Sequence, residues 1–236
     1  MSVRHIIMAA GEGTRWGNHT GVPKHLISPL DDGEALLARL VRQLHERGEN
    51  DVIVTGPQDY KDYLPDHVQV VTPDVLGDTD EWLGVTKFHN TVPHWSSTGR
   101  TILYWGDCWL DDCVVDAITR YEARRWLNWC RVNKSRVTGC PYGENFAVSF
   151  FPEHHSKYLE AMQITADAHR DGEITRSGGW EVLRAYAGAR GPKIRTMNRN
   201  LPQVRDVGYM GTSFSDDFDK PEDFDRWQKN WKKRNA

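Results

Sequence analysis

Residues 8–26 read MAAGEGTRWGNHTGVPKHL and bring Gly11, Gly13, Arg15 and Lys24 together just behind a short apolar run. A glycine-rich turn after a strand lets backbone N–H groups approach an anion closely, because no Cβ stands in the way. Arg15 can fork onto phosphate oxygens, and Lys24 can add a point charge to the same group. Neither common nucleotide motif is present. The dinucleotide fingerprint wants a third glycine at position 16, where Trp16 stands, and GxxxxGK[ST] is absent. A dehydrogenase and a P-loop NTPase are therefore disfavoured. An isolated Gly-x-Gly reads as a plain turn with two solvated cations; the whole string favours a phosphate site.

That string resembles the signature of the nucleotidyltransferases that activate sugar phosphates and related phosphorylated alcohols: an apolar strand, then A-G-x-G-(T/S)-R, then a variable stretch to P-K-x-L. The resemblance is dense here and sparse over much of the remaining chain. It implies an α/β fold, a Rossmann-like three-layer sandwich with a mostly parallel mixed central sheet. It also implies a nucleoside triphosphate, Mg²⁺, and transfer of a nucleotidyl group to a phosphorylated acceptor with release of pyrophosphate. Carried onto this sequence, it makes Ala9, Ala10, Gly11, Gly13 and Thr14 nucleotide-binding and Arg15 and Lys24 catalytic. An acceptor phosphate oxygen would attack the α-phosphorus in line, Lys24 and Mg²⁺ would gather the crowded negative charge, and Arg15 would hold the departing pyrophosphate. The acceptor phosphate is already anionic, so no side-chain nucleophile or general base is required. His25, His154 and His155 then read as surface or packing residues. Lys24, read as an exposed cation, is expected to matter far more for turnover than for folding.

Two carboxylates extend the resemblance. ILYWGDCW places Asp107 after Gly106 at a strand end, where open α/β sheets bind ligands. DFDKPEDF resembles the family's late D-x-D-x-P-E-D string, with Asp219 at its metal position. The resemblance thus assigns Mg²⁺ to Asp107 and Asp219, with Asp107 also on the nucleotide; two carboxylates plus triphosphate oxygens suffice for this ion. The residues alone leave Asp107 equally able to cap a turn and Asp219 able to start the closing helix. Thr79 lies where such enzymes read base and ribose, though a helix cap explains it as well. Glu144, on a strand similar to one that contacts the acceptor, and Trp105 are the acceptor-side candidates. Trp82, Trp105, Trp109 and Tyr142 would suit a quaternary ammonium cage, a sugar platform or the core. A sugar 1-phosphate is the first choice of acceptor, and phosphocholine or a similar phospho-alcohol the second.

The elements that must position these groups are legible in the hydrophobic pattern. Val3 to Ala9 reads as a strand buried on both faces. Leu36, Leu37, Leu40, Val41 and Leu44 fall at helical spacing, and Gly48 suits the helix stop. DVIVTG, VQVVTP and RTILYWGDCWL read as further strands, with helix or loop around Tyr60 and from Thr79 to Asn90. This alternation predicts a parallel sheet with helices on both faces. RWLNWCRV and NFAVSFF read as strands, His154 to His169 and Trp180 to Ala187 as helices, KIRTMN as a strand, and PEDFDRWQKNWKKR as a closing helix with Pro221 in its first turn.

The 236 residues, 39% of them hydrophobic, suffice for one domain spanning 1–236, and no repeat or linker is evident. A formal charge of −3 with interspersed signs gives no reason to invoke nucleic acid or an anionic membrane. No apolar window has the length of a secretory signal or a membrane span, so a soluble protein is expected. Cys108, Cys113, Cys130 and Cys140 lack metal or paired spacing and read as reduced, which fits a cytoplasmic setting. Family members often dimerise, and no residue pattern here points to the contact surface of a homodimer. Two competing classes remain. A glycosyltransferase would own Asp217-Phe218-Asp219, but its D-x-D ordinarily comes much earlier in the chain. A nucleotide-binding regulator without catalysis would have less need of both metal carboxylates.

Overall fold

The first strand owes its burial to VRHIIM, in which Ile6 and Ile7 are fully enclosed, as a strand covered on both faces requires. The computed structural model describes residues 2–11, 15–17, 19–30, 32–195, 201, 203–208 and 214–235. In chain order the elements are β1 (Val3–Met8), α1 (Leu36–His45), β2 (Val52–Thr55), β3 (Gln69–Val71), α2 (Thr86–His89), β4 (Arg100–Trp105), β5 (Cys108–Trp109), α3 (Asp112–Thr119), β6 (Leu127–Arg131), β7 (Glu144–Phe150), α4 (His155–Arg170), α5 (Gly179–Tyr186), β8 (Val204–Asp206), β9 (Asp216–Asp217) and α6 (Pro221–Asn235), with short 3-10 turns between.

Seven strands form one sheet in the order β3-β2-β1-β4-β7-β6-β8, with helices on both sides. β1, β2, β3 and β4 run parallel, β7 is antiparallel to β4 and β6, and β8 returns parallel to β6. The sheet is therefore mixed and mostly parallel, as expected. The chain leaves β1 toward β2 on one side and reaches β4 on the other, so a crevice opens beyond the carboxyl ends of β1 and β4. A separate two-stranded ladder pairs β5 with β9, opposing Cys108 to Asp217 and Trp109 to Asp216.

α1 buries Leu36, Leu37, Leu40, Val41 and Leu44, the predicted stripe, and the chain reverses at Gly48 with φ +80°. Most of the apolar core lies on the large sheet. A second cluster gathers Trp16, Ile27, Leu36, Trp109, Val137, Phe214, Phe218, Phe224 and Trp227 between the opening segment and α6. Most of the many tryptophans are thus packing residues.

Some strand expectations are corrected here. Lys193–Arg195 of KIRTMN belong to a 3-10 turn, and the rest of that string lies outside the described residues. RTILYWGDCWL divides into β4 and β5, which lie in different sheets, and two strands are unforeseen: β9, and β8, whose sequence VRD carries almost no apolar signal. Among the described residues no helix is long and apolar enough to cross a membrane.

Candidate active site

The geometry of the site begins with a close backbone approach. Gly106 follows β4 and donates its N–H to the Met8 carbonyl at 3.0 Å. A Cβ at Gly106 would sit 2.8 Å from that oxygen and 3.0 Å from Ile7 Cγ2, so only glycine lets the end of β4 lie against the end of β1. Asp107 is thereby delivered beside the opening segment. Ala9 and Ala10 are buried at the end of β1, and Gly11 is exposed with open space where a Cβ would go. Gly13 and Thr14 lie outside the described residues.

Pro23 starts a 3-10 turn, Lys24–Leu26, that sends its three side chains three ways. Leu26 enters the main core, and His25 lies 3.4 Å from the Tyr60 hydroxyl. Lys24, only 6% exposed, places Nζ 2.8 Å from Asp107 Oδ2 and 2.5 Å from Asp217 Oδ1. This corrects the picture of a solvated lysine. Burial opposes the Lys24 charge, but Asp107 and Asp217 hold the ammonium well above the lysine range. The Asp107 carboxyl is pushed up by burial and more than compensated by Lys24, with His25 and Lys87 helping, so it lies below the usual carboxylate range. His25 is driven down to about 4 by burial, against the pull of Asp107 and with the repulsion of Lys24 and Lys87.

The second carboxylate is the principal surprise. The metal assignment paired Asp107 with Asp219, whereas the residue brought to Asp107 and Lys24 is Asp217. Asp219 instead accepts from Arg15 Nη1 at 2.5 Å. Asp216 faces away, where it accepts from Arg131 at 2.7 Å, from Thr138 at 2.8 Å and from the Ser135 hydroxyl, and so fixes β9 in place. Trp16, beside Arg15, is buried edge-on against Phe224 at 5.7 Å, which anchors the opening segment to α6.

Glu144 begins β7 next to these groups. Burial, then Asp219, Asp216 and Asp107, raise its carboxyl to about 8. Ligand atoms of Asp107, Cys108 and Asp217 all lie within 4.8 Å of one another. The Cys108 thiol is pushed far up by burial and by Asp107 and Asp217, and burial also raises the Asp217 carboxyl against the pull of Lys24, so the oxygens of Asp107 and Asp217 are the hard ligands on offer.

The remaining candidates sit further from this cluster or are engaged locally. Thr79 accepts from the Trp82 N–H at 3.1 Å, and its own N–H reaches Thr86 Oγ1 at 3.0 Å, so its polar groups are engaged in the turn before the 3-10 helix Leu83–Val85, whose cap position is Trp82. Trp105 is 7% exposed and packs edge-on against Phe88 at 5.4 Å. Trp82 stacks on His89 at 3.9 Å, and Trp109 packs on Trp227 at 4.7 Å in the second cluster. Tyr142 is 69% exposed. Trp105 and Trp109 belong to different core clusters, so the four aromatic residues do not assemble into one cage.

No protein-family model matches the chain. A stretch of 60 residues is 47% identical to a 2-C-methyl-D-erythritol 4-phosphate cytidylyltransferase of Saccharopolyspora erythraea, spanning 25% of this chain and 25% of that protein. Among solved structures, the CTP:phosphocholine cytidylyltransferase of Streptococcus pneumoniae superposes with TM-score 0.60 at 15% identity over 98% of this chain and 100% of its own. A UDP-glucose pyrophosphorylase bound to UDP-glucose gives TM-score 0.61 at 11% identity, over 99% and 100%. The inositol-1-phosphate CTP transferase of T. maritima gives 0.59 at 14%, over 97% and 96%. These likenesses show a Rossmann-like fold shared with nucleotidyltransferases.

Proposed function

We propose that this protein is a Mg²⁺-dependent nucleotidyltransferase that moves a nucleoside monophosphate from an NTP to a phosphorylated acceptor and releases pyrophosphate. The observation that carries the reading is Lys24, buried between Asp107 and Asp217 at the carboxyl ends of β1 and β4. A binding module has little use for an enclosed cation–carboxylate triad at a sheet crevice, whereas phosphoryl chemistry needs both charge signs at one phosphorus. The fold shared with nucleotidyltransferases supports the same reading.

Asp107 and Asp217 fit a magnesium ion, being two carboxyl groups with converging hard oxygens, and Asp219, paired with Arg15, follows Asp217 by two residues. When bound, the metal supplies charge neutralisation for triphosphate oxygens. Lys24 would turn from Asp217 to the α-phosphate, and Arg15 from Asp219 to the pyrophosphate. The backbone of Ala9 to Gly11 borders the same crevice, and Glu144 and Trp105 border the acceptor side.

A sugar 1-phosphate is the acceptor proposed first. A phospho-alcohol receiving a cytidylyl group is the second reading, favoured by the local match to a cytidylyltransferase. The test is pyrophosphate release from each of four NTPs with Mg²⁺ against a panel of sugar 1-phosphates, phosphocholine and other phospho-alcohols. Turnover with one pair, lost in Asp107→Ala, is expected. No pair exceeding the Asp107→Ala background would refute the reaction class.

A further inference from the structure

Trp105 and Glu144, the acceptor-side candidates, are touched or flanked by one short turn. α5 begins with Gly179 and Trp180, and both residues press on that wall. A Cβ at Gly179 would sit 2.7 Å from Trp105 Cζ2 and 2.9 Å from Asn145 Nδ2, so only glycine lets the helix start lie against both. Trp180 Nε1 donates to the Gly143 carbonyl at 3.2 Å. Gly143 and Asn145 are the residues on either side of Glu144. Asn145 is itself pinned, its Oδ1 accepting from Asn128 Nδ2 at 2.8 Å. The first turn of α5 therefore sets where Trp105 and Glu144 stand.

The turn has a fixed point in Ser177, which is buried just ahead of it. Ser177 Oγ accepts from the Gly84 N–H at 2.9 Å and is hydrogen-bonded to His169 Nδ1 at 2.9 Å. His169 lies in the last turn of α4, and Gly84 in the 3-10 turn Leu83–Val85 ahead of α2. α4, that 3-10 turn and the start of α5 thus meet on one hydroxyl. α2 reaches the same wall, since its Phe88 packs edge-on against Trp105 at 5.4 Å. The junction also holds a backbone that is costly on its own. Leu83 has φ +47°, an unfavourable value for leucine, and Arg170 Nη2 ties the segment again by donating to the Glu81 carbonyl at 2.5 Å. Among the described residues no hydrogen bond or ion pair links Ser177 or His169 to Lys24, Asp107 or Asp217. The hydroxyl acts on the acceptor wall and not on the charged triad.

We propose that Ser177, held by His169, is a positioning residue for the acceptor, its hydroxyl locking the first turn of α5 onto Trp105 and onto the strand around Glu144. This role rests on the transferase reading given above. Its loss loosens the acceptor wall and leaves the nucleotide and metal groups in place. Steady-state kinetics is measured on the full chain with the substrate pair that turns over, as wild type, Ser177→Ala, His169→Ala and His169→Asn. The asparagine amide keeps a polar partner for the hydroxyl. The acceptor KM should rise about fivefold or more in Ser177→Ala and His169→Ala, with kcat and the NTP KM within about twofold of wild type and His169→Asn restoring most of the loss. The same proteins labelled with 5-fluorotryptophan report the turn directly. Their Trp105 and Trp180 fluorine resonances, identified through Trp105→Phe and Trp180→Phe, should shift in Ser177→Ala and His169→Ala. Should Ser177→Ala not fold, His169→Ala against His169→Asn makes the same comparison with the hydroxyl intact. Unshifted resonances, or equal rises in both KM values, would overturn the proposal. Turnover with an unchanged acceptor KM overturns this proposal alone. No turnover on any pair, with the resonances shifted, refutes the transferase reading and leaves Ser177 as the lock on Trp105 and Trp180.

Discussion

Replacing Lys24 by Met tests whether the charged triad is integral to the fold as well as to the chemistry. Methionine keeps most of the side chain's volume and removes the cation from between Asp107 and Asp217. Lys24 is 6% exposed and Asp217 9%, while Asp107 keeps 27% of its side chain open, so Asp217 would be left enclosed beside Asp107 with burial and that neighbour both opposing its charge. Removing one partner of a buried ion pair costs about 3–5 kcal/mol, a large share of a total stability of about 5–15 kcal/mol. Asp217→Asn alone should cost less, about 1.5–3 kcal/mol, because Lys24 retains Asp107. The informative construction is Lys24→Met combined with Asp217→Asn. With no second carboxylate to repel, the double variant should be at least about 1 kcal/mol more stable than Lys24→Met, rather than weaker by the sum of the single losses. Urea unfolding followed by tryptophan fluorescence reads all four proteins. A Lys24→Met loss below about 1 kcal/mol, the range of solvated surface pairs, would refute the buried-triad account. So would simple additivity in the double variant.

Other outcomes follow from the same geometry. His25 is buried with its pKa near 4, below an unfolded value near 6.5, so between those limits the unfolded chain binds more protons and stability falls as pH drops. His25→Asn should remove about 3 kcal/mol of that acid-side loss, measured by urea unfolding from pH 7 to 4; an unchanged slope would show the histidine is not buried neutral. Gly106→Ala places a methyl group 2.8 Å from the Met8 carbonyl and should cost about 1–3 kcal/mol while depressing kcat by shifting Asp107; wild-type stability and kcat would contradict the close approach. Trp227→Ala opens the cluster of Trp109, Phe214 and Phe218 and should cost about 3–5 kcal/mol in chemical unfolding, and a loss below 1 kcal/mol would mean that the cluster adds little.

The residues that announced themselves in the sequence did so through local pattern. β1, α1 and α6 carry period and capping signals within one continuous stretch, and each appears where the pattern puts it. β8 does not, because a three-residue edge strand with one arginine and one aspartate has no apolar rhythm to detect. The β5–β9 ladder is invisible for another reason: it joins positions 108 and 217 by two residue pairs, a decision made by tertiary packing. The burial of Lys24 has the same origin, since its partner Asp217 lies 193 residues away. Lysine is ordinarily exposed, and nothing near Lys24 in sequence indicates otherwise.

The spacing of Asp216, Asp217, Phe218 and Asp219 explains why the motif singles out Asp219 while Asp217 and Asp219 both meet cations of the opening segment. Side chains alternate along an extended strand, so positions 217 and 219 share one face and 216 and 218 the other. The contacts follow that rule. Asp217 and Asp219 meet Lys24 and Arg15, while Asp216 meets Arg131 and Phe218 is buried among Trp227 and Phe224. The back face holds the strand in place so that the front face can present two carboxylates, each matched to a cation of the opening segment. On the proposed reaction, a phosphate that draws away Lys24 and Arg15 uncovers Asp217 and Asp219 together, and a metal that occupies the carboxylates frees both cations. Either ligand alone leaves one charge sign unmatched beside Asp107, so the two should bind with positive coupling.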